Sequence, residues 1–333
     1  MTNKTFERLS DEDRDALRKK KQPNWTQPML ATLHDEVFSD PEWIYERKLD
    51  GERCLAFRHK NSVRLLSRNR KELNDTYPEI VEALDRQRGA FIADGEIVAF
   101  KGNRTSFERL QERMQITDAN EARRSNVAVY YYLFDLLHCG AYDLTRVSLE
   151  GRKTLLRAAM DFEDPIRLTT HQNEHGEHYY RTACRKGWEG LIAKERTSRY
   201  IHSRSPKWLK LKCSNRQEFV IGGFTEPKGE RKGFGALLVG FHKNGRLQYA
   251  GKVGTGYDGE TLSRLADKLK SATRKTPPFD EQKLPEKGVH WVTPKLVCDV
   301  AFTEWTDEHR LRHPRFKGLR RDKDPDDVVR EER

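Results

Sequence analysis

The sequence has no apolar run approaching the ~20 residues that a bilayer-spanning helix needs, which excludes membrane-spanning helices. Its opening, MTNKTFERLSDEDRD, lacks the apolar core of a secretory leader, so a cytoplasmic protein is expected. Cysteine is scarce. The five residues Cys54, Cys139, Cys184, Cys213 and Cys298 are odd in number and widely spaced. They suggest neither a disulfide framework nor a C-x-x-C zinc pair, and are expected to be reduced and structural. No internal repeat or long low-complexity tract is present, which removes solenoid and fibrous classes.

What is there fits a globular enzyme-sized chain. At 333 residues, two domains are expected. Six Trp and 15 Phe can anchor cores, although hydrophobic residues make up only 35%. Lys plus Arg outnumber Asp plus Glu by 63 to 52, a net charge of +11. Such an excess suits a polyanionic partner and equally suits simple solubility.

Texture changes along the chain. Residues 1–24 read as a polar arm, with Ser10 capping a helix whose first turn is acidic. Arg18, Lys19, Lys20 and Lys21 are expected at its C-terminal end, as a solvated face or a DNA-gripping arm. Residues 25–214 alternate short β-rich runs (Trp43–Lys48, Cys54–His59, Ser62–Ser67, Phe91–Phe100, Ala128–Leu137, Gly190–Glu195, Trp208–Lys212) with helical spacing at Pro78–Arg88, Ser106–Gln115 and Glu150–Met160. Ser214–Gln217 reads as a hinge. Residues 215–333 carry short strands with Gly-rich turns, an Asn244-Gly245 hairpin signal and one helix near Asp258–Lys270, which suggest a small OB-type barrel.

Four separated segments supply one kind of chemistry. Lys48 precedes an Asp50-Gly51 turn, which alone fits an ordinary exposed hairpin. Glu96 sits in FIADGEIVAF, and Glu189 precedes the apolar run GLIA. In WLKLK, Lys210 and Lys212 are two apart and share one face of a strand, with apolar residues on the other. Gathered in one cleft, these residues suit a nucleotide. A lysine amine can attack the α-phosphate of a nucleoside triphosphate, and nearby cations such as Lys210, Lys212 and Mg²⁺ would ease its deprotonation. Carboxylates suit Mg²⁺, which takes oxygen ligands. Phe134 is read either as a base-stacking ring or as core. Glu46, two residues before Lys48 on the same face, can accept from the amino group of adenine and would repel the guanine carbonyl, favouring ATP over GTP; otherwise it is a solvated strand residue. His171, His175 and His178 are expected in a surface loop.

The ordered set KLDGER (48–53), SRN (67–69), DGEIVAF (94–100), SFERLQ (106–111), LFDLL (133–137), EGLIAK (189–194) and WLKLK (208–212) resembles the covalent nucleotidyltransferases, the ATP-dependent DNA ligases and RNA capping enzymes. More closely, it is similar to the ligase domain of bacterial ligase D, over roughly residues 25–330. The resemblance implies an α+β fold: an ATP-grasp-like nucleotidyltransferase domain with antiparallel sheets, followed by an OB-fold. It implies that Lys48 carries AMP, that Arg53 and Arg68 contact nucleotide and nick, and that Glu96 holds the ribose and helps with metal. Phe134 would stack on adenine, Glu189 would bind Mg²⁺ or Mn²⁺, and Lys210 and Lys212 would grip the α-phosphate. Arg320 and Lys323 match an Arg-x-Asp-Lys element that acts on the outgoing pyrophosphate.

The resemblance also bears on partners. The run 310–323 holds seven Arg/Lys and one acid, Asp322. Arg312, Arg315 and Lys317 within it, together with Arg204, are expected to contact DNA. Arg181, Arg185 and Lys186 form a second basic group with the same expectation. The expected enzyme is a monomeric ATP-dependent DNA ligase acting on duplex DNA with nicks or ends, in DNA repair and recombination. It is expected to be bacterial, cytoplasmic and nucleoid-associated. In 333 residues there is no room for the polymerase and phosphoesterase domains of multifunctional ligase D, which leaves end joining and Ku as candidate associations only. Rival readings are an RNA ligase or capping enzyme, and a non-catalytic nucleic-acid-binding protein.

Overall fold

The computed structural model describes residues 3–60, 62–213, 215–227, 233–281, 284, 286 and 288–331. The chain divides into two compact units, Met1–Cys213 and Ser214–Glu332. Ser214, in the expected hinge, lies outside the described residues.

In the first unit the main strands are β1 (Leu30–Leu33), β2 (Trp43–Arg47), β3 (Glu52–His59), β4 (Ser62–Ser67), β5 (Phe91–Lys101), β6 (Val129–Cys139), β7 (His171–Asn173), β8 (Gly190–Glu195) and β9 (Arg204–Lys212). One sheet runs β4-β3-β5-β6, all antiparallel. A second runs β7-β2-β8-β9-β1, antiparallel except for the β9–β1 pair. The architecture is α+β with antiparallel sheets, as expected.

The first sheet is covered on both sides, which is why β3, β5 and β6 read as nearly continuous apolar runs. Cys54, Ala56, Ala93 and Leu133 join a core shared with the helices α1 (Pro78–Asp85), α2 (Phe107–Met114) and α3 (Leu149–Ala159). Those helices contribute Ile80, Leu84, Phe107, Leu110, Leu155 and Leu156. Each such side chain, fully buried, stabilises the unit by about 1.5–3 kcal/mol. Leu55, Phe57, Ile92, Phe134 and Leu137 point the other way and join Ile44 and Trp208 of the second sheet in a core between the sheets. The helix α4 (Gly176–Arg185) covers the second sheet's outer face, where Tyr45, Leu191, Ala193, Leu209 and Leu211 pack with Ala183.

Two expectations, on the histidine segment and on the cysteines, need correction. The histidine segment is not a loop: His171 lies on β7, His178 lies within α4, and Gly176 is the first residue of that helix and does not interrupt it. The polar N-terminal segment packs on the first unit. Ser10 does cap a helix, Asp11–Ala16, accepting from Asp13 N at 3.1 Å. Asp13 in turn accepts from Ser148 N and Oγ, both at 2.8 Å, Leu9 is buried, and Arg18–Lys19 pairs with Tyr142–Asp143 as a strand. Finally, Cys184 and Cys213 are joined by a disulfide, their Cα atoms 5.3 Å apart; Cys54, Cys139 and Cys298 are buried thiols. The end of α4 and the end of β9 meet in space although 29 residues separate them in sequence.

The second unit contains β10 (Asn215–Thr225), β11 (Leu237–Lys243), β12 (Arg246–Val253), α5 (Gly259–Ser271), β13 (Val289–Phe302) and β14 (Arg315–Arg320). Its sheet runs β12-β11-β10-β13, with β14 also pairing with β13. The β11–β12 turn has φ of +54° at Asn244 and +74° at Gly245, which suits the expected tight hairpin. Asp258 caps α5 by accepting from Thr261 N at 2.7 Å, and Leu265 and Leu269 face a core that includes Phe219, Ile221 and Val300. The sheet is curled and belongs to the OB-fold class.

Candidate active site

The second sheet arranges its inner face in rows. Glu46 pairs with Ile192, which pairs with Lys210. One step along, Lys48 N donates to Gly190 O at 2.9 Å, and Gly190 pairs with Lys212. Side chains two apart on a strand share a face, so Glu46, Lys48, Lys210 and Lys212 all belong to the face opposite Tyr45, Leu191, Leu209 and Leu211. The row between Lys48 and Lys212 has no central side chain. Gly190 has φ +150°, and a Cβ there would lie 2.0 Å from Leu211 O, so this backbone path requires glycine.

The first sheet faces this row with Arg53, Asp94, Glu96 and Phe134. Arg53 pairs in register with Glu96 and grips Asp94 with two bonds, Nε to Oδ1 at 2.5 Å and Nη2 to Oδ2 at 2.6 Å. Burial would lower the Arg53 pKa, but Asp94 outweighs it and raises the value. Asp94 is fully buried and also accepts from Tyr200 Oη at 2.6 Å. Phe134 sits in a bulge: Gly95 pairs with Leu133 and Asp94 with Asp135, so residue 134 has no partner of its own. The bulge turns its ring into the space between the sheets. There it meets Trp208 edge-on at 6.1 Å, with the Arg53 guanidinium at 4.5 Å and the Lys194 ammonium at 4.3 Å from the ring centre.

Lys48 is ion-paired with Glu189, Nζ to Oε1 at 2.6 Å, with the side chains 21% and 11% exposed. Burial alone would lower its pKa. Glu189, then Glu96 and Asp50, outweigh burial and raise it. In this structure carboxylates dominate the surroundings of the amine and favour its ammonium form.

Glu46 is not a solvated strand residue. It is 2% exposed, and its two oxygens are taken by Lys153 and Lys194, the latter at 2.6 Å. Burial pushes its pKa up, but the two lysines overcome this and hold it low. Lys194 is itself perturbed: burial brings it down to about 8 despite Glu46. Neither lysine is assigned a role by the sequence motifs. Lys194 could have been found by parity, since it lies two residues beyond Ile192 on the inner face. Lys153 gives no signal, because a lysine on a helix is usually exposed.

Arg68 is half-buried on the turn after β4. Arg204 is exposed at the start of β9, donating to Ala31 O. In the second unit, Arg320 is held by Asp322 through bonds of 2.9 and 2.6 Å, and Lys323 lies 3.4 Å from Glu218. Arg312 pairs with Glu304 at 2.6 Å, while Arg315 and Lys317 are exposed on β14.

The donor set near Lys48 suits Mg²⁺. Glu189 and Glu96 offer hard oxygen ligands, and Mg²⁺ needs only one or two carboxylates beside phosphate and water. No cluster of three or more His, Cys, Asp or Glu suited to a metal is found among the described residues. No helix among them is long and apolar enough to cross a membrane.

Residues 28–212 match the family model for the ATP-dependent DNA ligase domain, and residues 230–323 that for the ATP-dependent DNA ligase C-terminal region. The chain is 38% identical over 320 residues to the multifunctional non-homologous end joining protein LigD of Pseudomonas aeruginosa, covering 93% of this chain and 37% of that protein. It is 37% identical to the corresponding DNA repair protein LigD of Mycobacterium tuberculosis, over 91% of this chain and 40% of that one. The chain thus spans well under half the length of these relatives. Among solved structures, a mycobacterial DNA ligase D complexed with ATP and MES matches with a TM-score of 0.66 at 33% identity, over 92% of this chain and 98% of that one. With a family model matching more than half its length, across the segments that carry Lys48, Glu96, Glu189 and Lys210, the chain belongs to the ATP-dependent DNA ligase family.

Proposed function

We propose that this chain seals 5′-phosphate/3′-hydroxyl breaks in duplex DNA, using ATP and a lysyl-AMP intermediate, in DNA repair and end joining. The observation that carries this is the inner-face row of Lys48, Gly190 and Lys212 opposite Arg53 and Glu96, in a chain of the ligase family. In the first step the Lys48 amine, once deprotonated, forms a P–N bond to the α-phosphate of ATP. The bond between the α-phosphorus and its bridging oxygen breaks, and pyrophosphate leaves. AMP then passes to the 5′-phosphate of a break, regenerating the amine. Finally the 3′-hydroxyl attacks that phosphate, loses its proton, and expels AMP.

The residues divide this work by charge. Lys210 and Lys212 grip the α-phosphate, where fixed cations stabilise charge developing on its oxygens. Glu189 and Glu96 would hold Mg²⁺, whose charge offsets that of the phosphoryl oxygens. Drawing Glu189 away from Lys48 removes the main interaction that keeps the amine protonated. Glu46 keeps free lone pairs despite its two lysines and can accept from the adenine amino group, favouring ATP. Phe134 stacks on the base, Arg53 and Arg68 contact nucleotide and nick, and Arg320 and Lys323 serve pyrophosphate release. Arg204, Arg312, Arg315 and Lys317 contact DNA.

The test is incubation with α-labelled ATP, then a chase with nicked duplex. The wild type is expected to form a labelled adduct that discharges into sealed DNA, and Lys48→Ala to form none. Label retained by Lys48→Ala refutes the nucleophile assignment; a wild-type adduct that seals no DNA refutes the ligase assignment. GTP and nicked RNA offered in parallel separate this reading from a capping enzyme or RNA ligase.

A further inference from the structure

A second cationic space lies on the far side of the nucleophile's strand. A cavity of about 830 Å³ in the first unit is lined by Arg47, Lys101, Arg104 and Lys186, with Thr105, Ser106, Asn103 and Trp188 completing its wall. No carboxylate lines it. Among the described residues only Lys101 of these four cations has a carboxylate within 4 Å, that of Glu108 at 3.8 Å. This differs from the inner face of the second sheet, where Lys48 and Lys194 face acids.

The cations are positioned without being neutralised. The Arg47 guanidinium lies 4.5 Å and the Lys186 ammonium 5.2 Å from the centre of the Trp188 ring, and a π face attracts a cation while leaving its charge intact. Arg47 Nη2 donates to Thr105 Oγ1 at 3.3 Å, and its buried Nε has no hydrogen-bond partner. The Arg104 guanidinium lies against the backbone of Gly187, where φ is +67° and a Cβ would come within 2.7 Å of it. Three segments far apart in sequence therefore converge their positive groups on one concavity, where an anion would find donors already in place.

Arg47 and Lys48 are successive residues, so their side chains leave opposite faces of the sheet. Arg47 pairs with Leu191 on the outer face, while Lys48 belongs to the inner row. The cavity thus lies on the face of the sheet opposite the amine, held by the residue next to it in sequence, and the open space is too large for a lone phosphate group. We propose that this cavity binds the sugar-phosphate backbone of one DNA strand beside the break, with Arg47, Arg104 and Lys186 as the phosphate contacts. The proposal rests on the ligase reading above. By sequence Lys186 groups with Arg181 and Arg185; the structure groups it instead with cations from β2, from the end of β5 and from the short strand Arg104–Thr105 that pairs with it.

The test uses the full chain and the exposed residues Arg104 and Lys186, as Arg104→Ala, Lys186→Ala and the double variant. Melting temperature checks the fold. Affinity for nicked duplex is measured by fluorescence anisotropy across a salt series, beside self-adenylylation with labelled ATP. The double variant is expected to bind nicked duplex roughly tenfold more weakly at about 0.1 M salt. Its slope of log affinity against log salt should be shallower by about 0.9 for each phosphate no longer neutralised. The reduction in DNA binding should exceed any reduction in self-adenylylation at least fivefold. Wild-type binding with unchanged affinity and slope in the variants overturns the site alone. A wild type that binds no nicked duplex overturns the ligase reading and this site with it. If the variants lose inhibition by inorganic phosphate or pyrophosphate but keep DNA affinity, the cavity takes a free anion, and the strand assignment is overturned.

Discussion

Replacing Glu189 by Gln keeps the shape beside Lys48 but removes the charge that holds its amine protonated. At 2.6 Å, an effective dielectric of about 20 gives roughly 6 kcal/mol of gross attraction. Burial opposes it, being the largest single influence on Lys48 and the one that disfavours the ammonium form, yet the net direction is upward. With Glu189 neutralised, burial is left to be balanced by Glu96 and Asp50 alone, and the Lys48 pKa should fall. Losing only about 1.4 kcal/mol of ion-pair stabilisation multiplies the neutral-amine fraction tenfold. Stability should change as well. A lysine with a raised folded-state pKa contributes stability that is complete below its unfolded value and lost as pH rises through the folded one, so Glu189→Gln should cost stability at neutral pH. The assay is labelling of Lys48 by an amine-reactive probe near pH 8 without nucleotide, followed by peptide mass spectrometry. Glu189→Gln is expected to label at least about tenfold faster than wild type while forming the ATP-derived adduct more slowly. Labelling that is unchanged or slower in the variant would refute the electrostatic argument.

Lys323→Ala should slow self-adenylylation at least about tenfold while sealing of a pre-adenylylated nick changes less, and equal losses in the two assays would remove the proposed role in pyrophosphate release. Lys194, brought down to about 8 by burial, binds fewer protons folded than unfolded between that value and about 10.5, so its penalty is complete at neutral pH and relieved as pH rises. Denaturant unfolding should show up to about 3 kcal/mol of this relief in wild type and none from this source in Lys194→Met. The disulfide predicts that Cys54, Cys139 and Cys298 alone are alkylated in denatured, unreduced protein, and all five cysteines after reduction. Cys184→Ser should cost about 3 kcal/mol of stability through the missing cross-link, read by denaturant titration.

Much of the architecture is legible in the sequence because its signals are local. The two-residue period of WLKLK places Lys210 and Lys212 on one face and Leu209 and Leu211 on the other, as found. The Asn244-Gly245 pair announces its hairpin, and Ser10 and Asp258 announce helix starts. The helix at Gly176–Arg185 is hidden because a glycine amid polar residues resembles a loop, although its buried face, including Ala183, holds it on the second sheet.

Strand and helix order, the face on which each site lysine stands, and membership in a ligase family can thus all be read along the chain. Which charges meet is settled only by folding. Lys153 reaches Glu46 across 107 residues, Cys184 finds Cys213, and a bulge turns Phe134 inward against Trp208. Side-chain parity is a property of one strand and is written locally. The protonation state of Lys48 and the pairing of buried charges depend on segments that become neighbours only when the sheets close on one another.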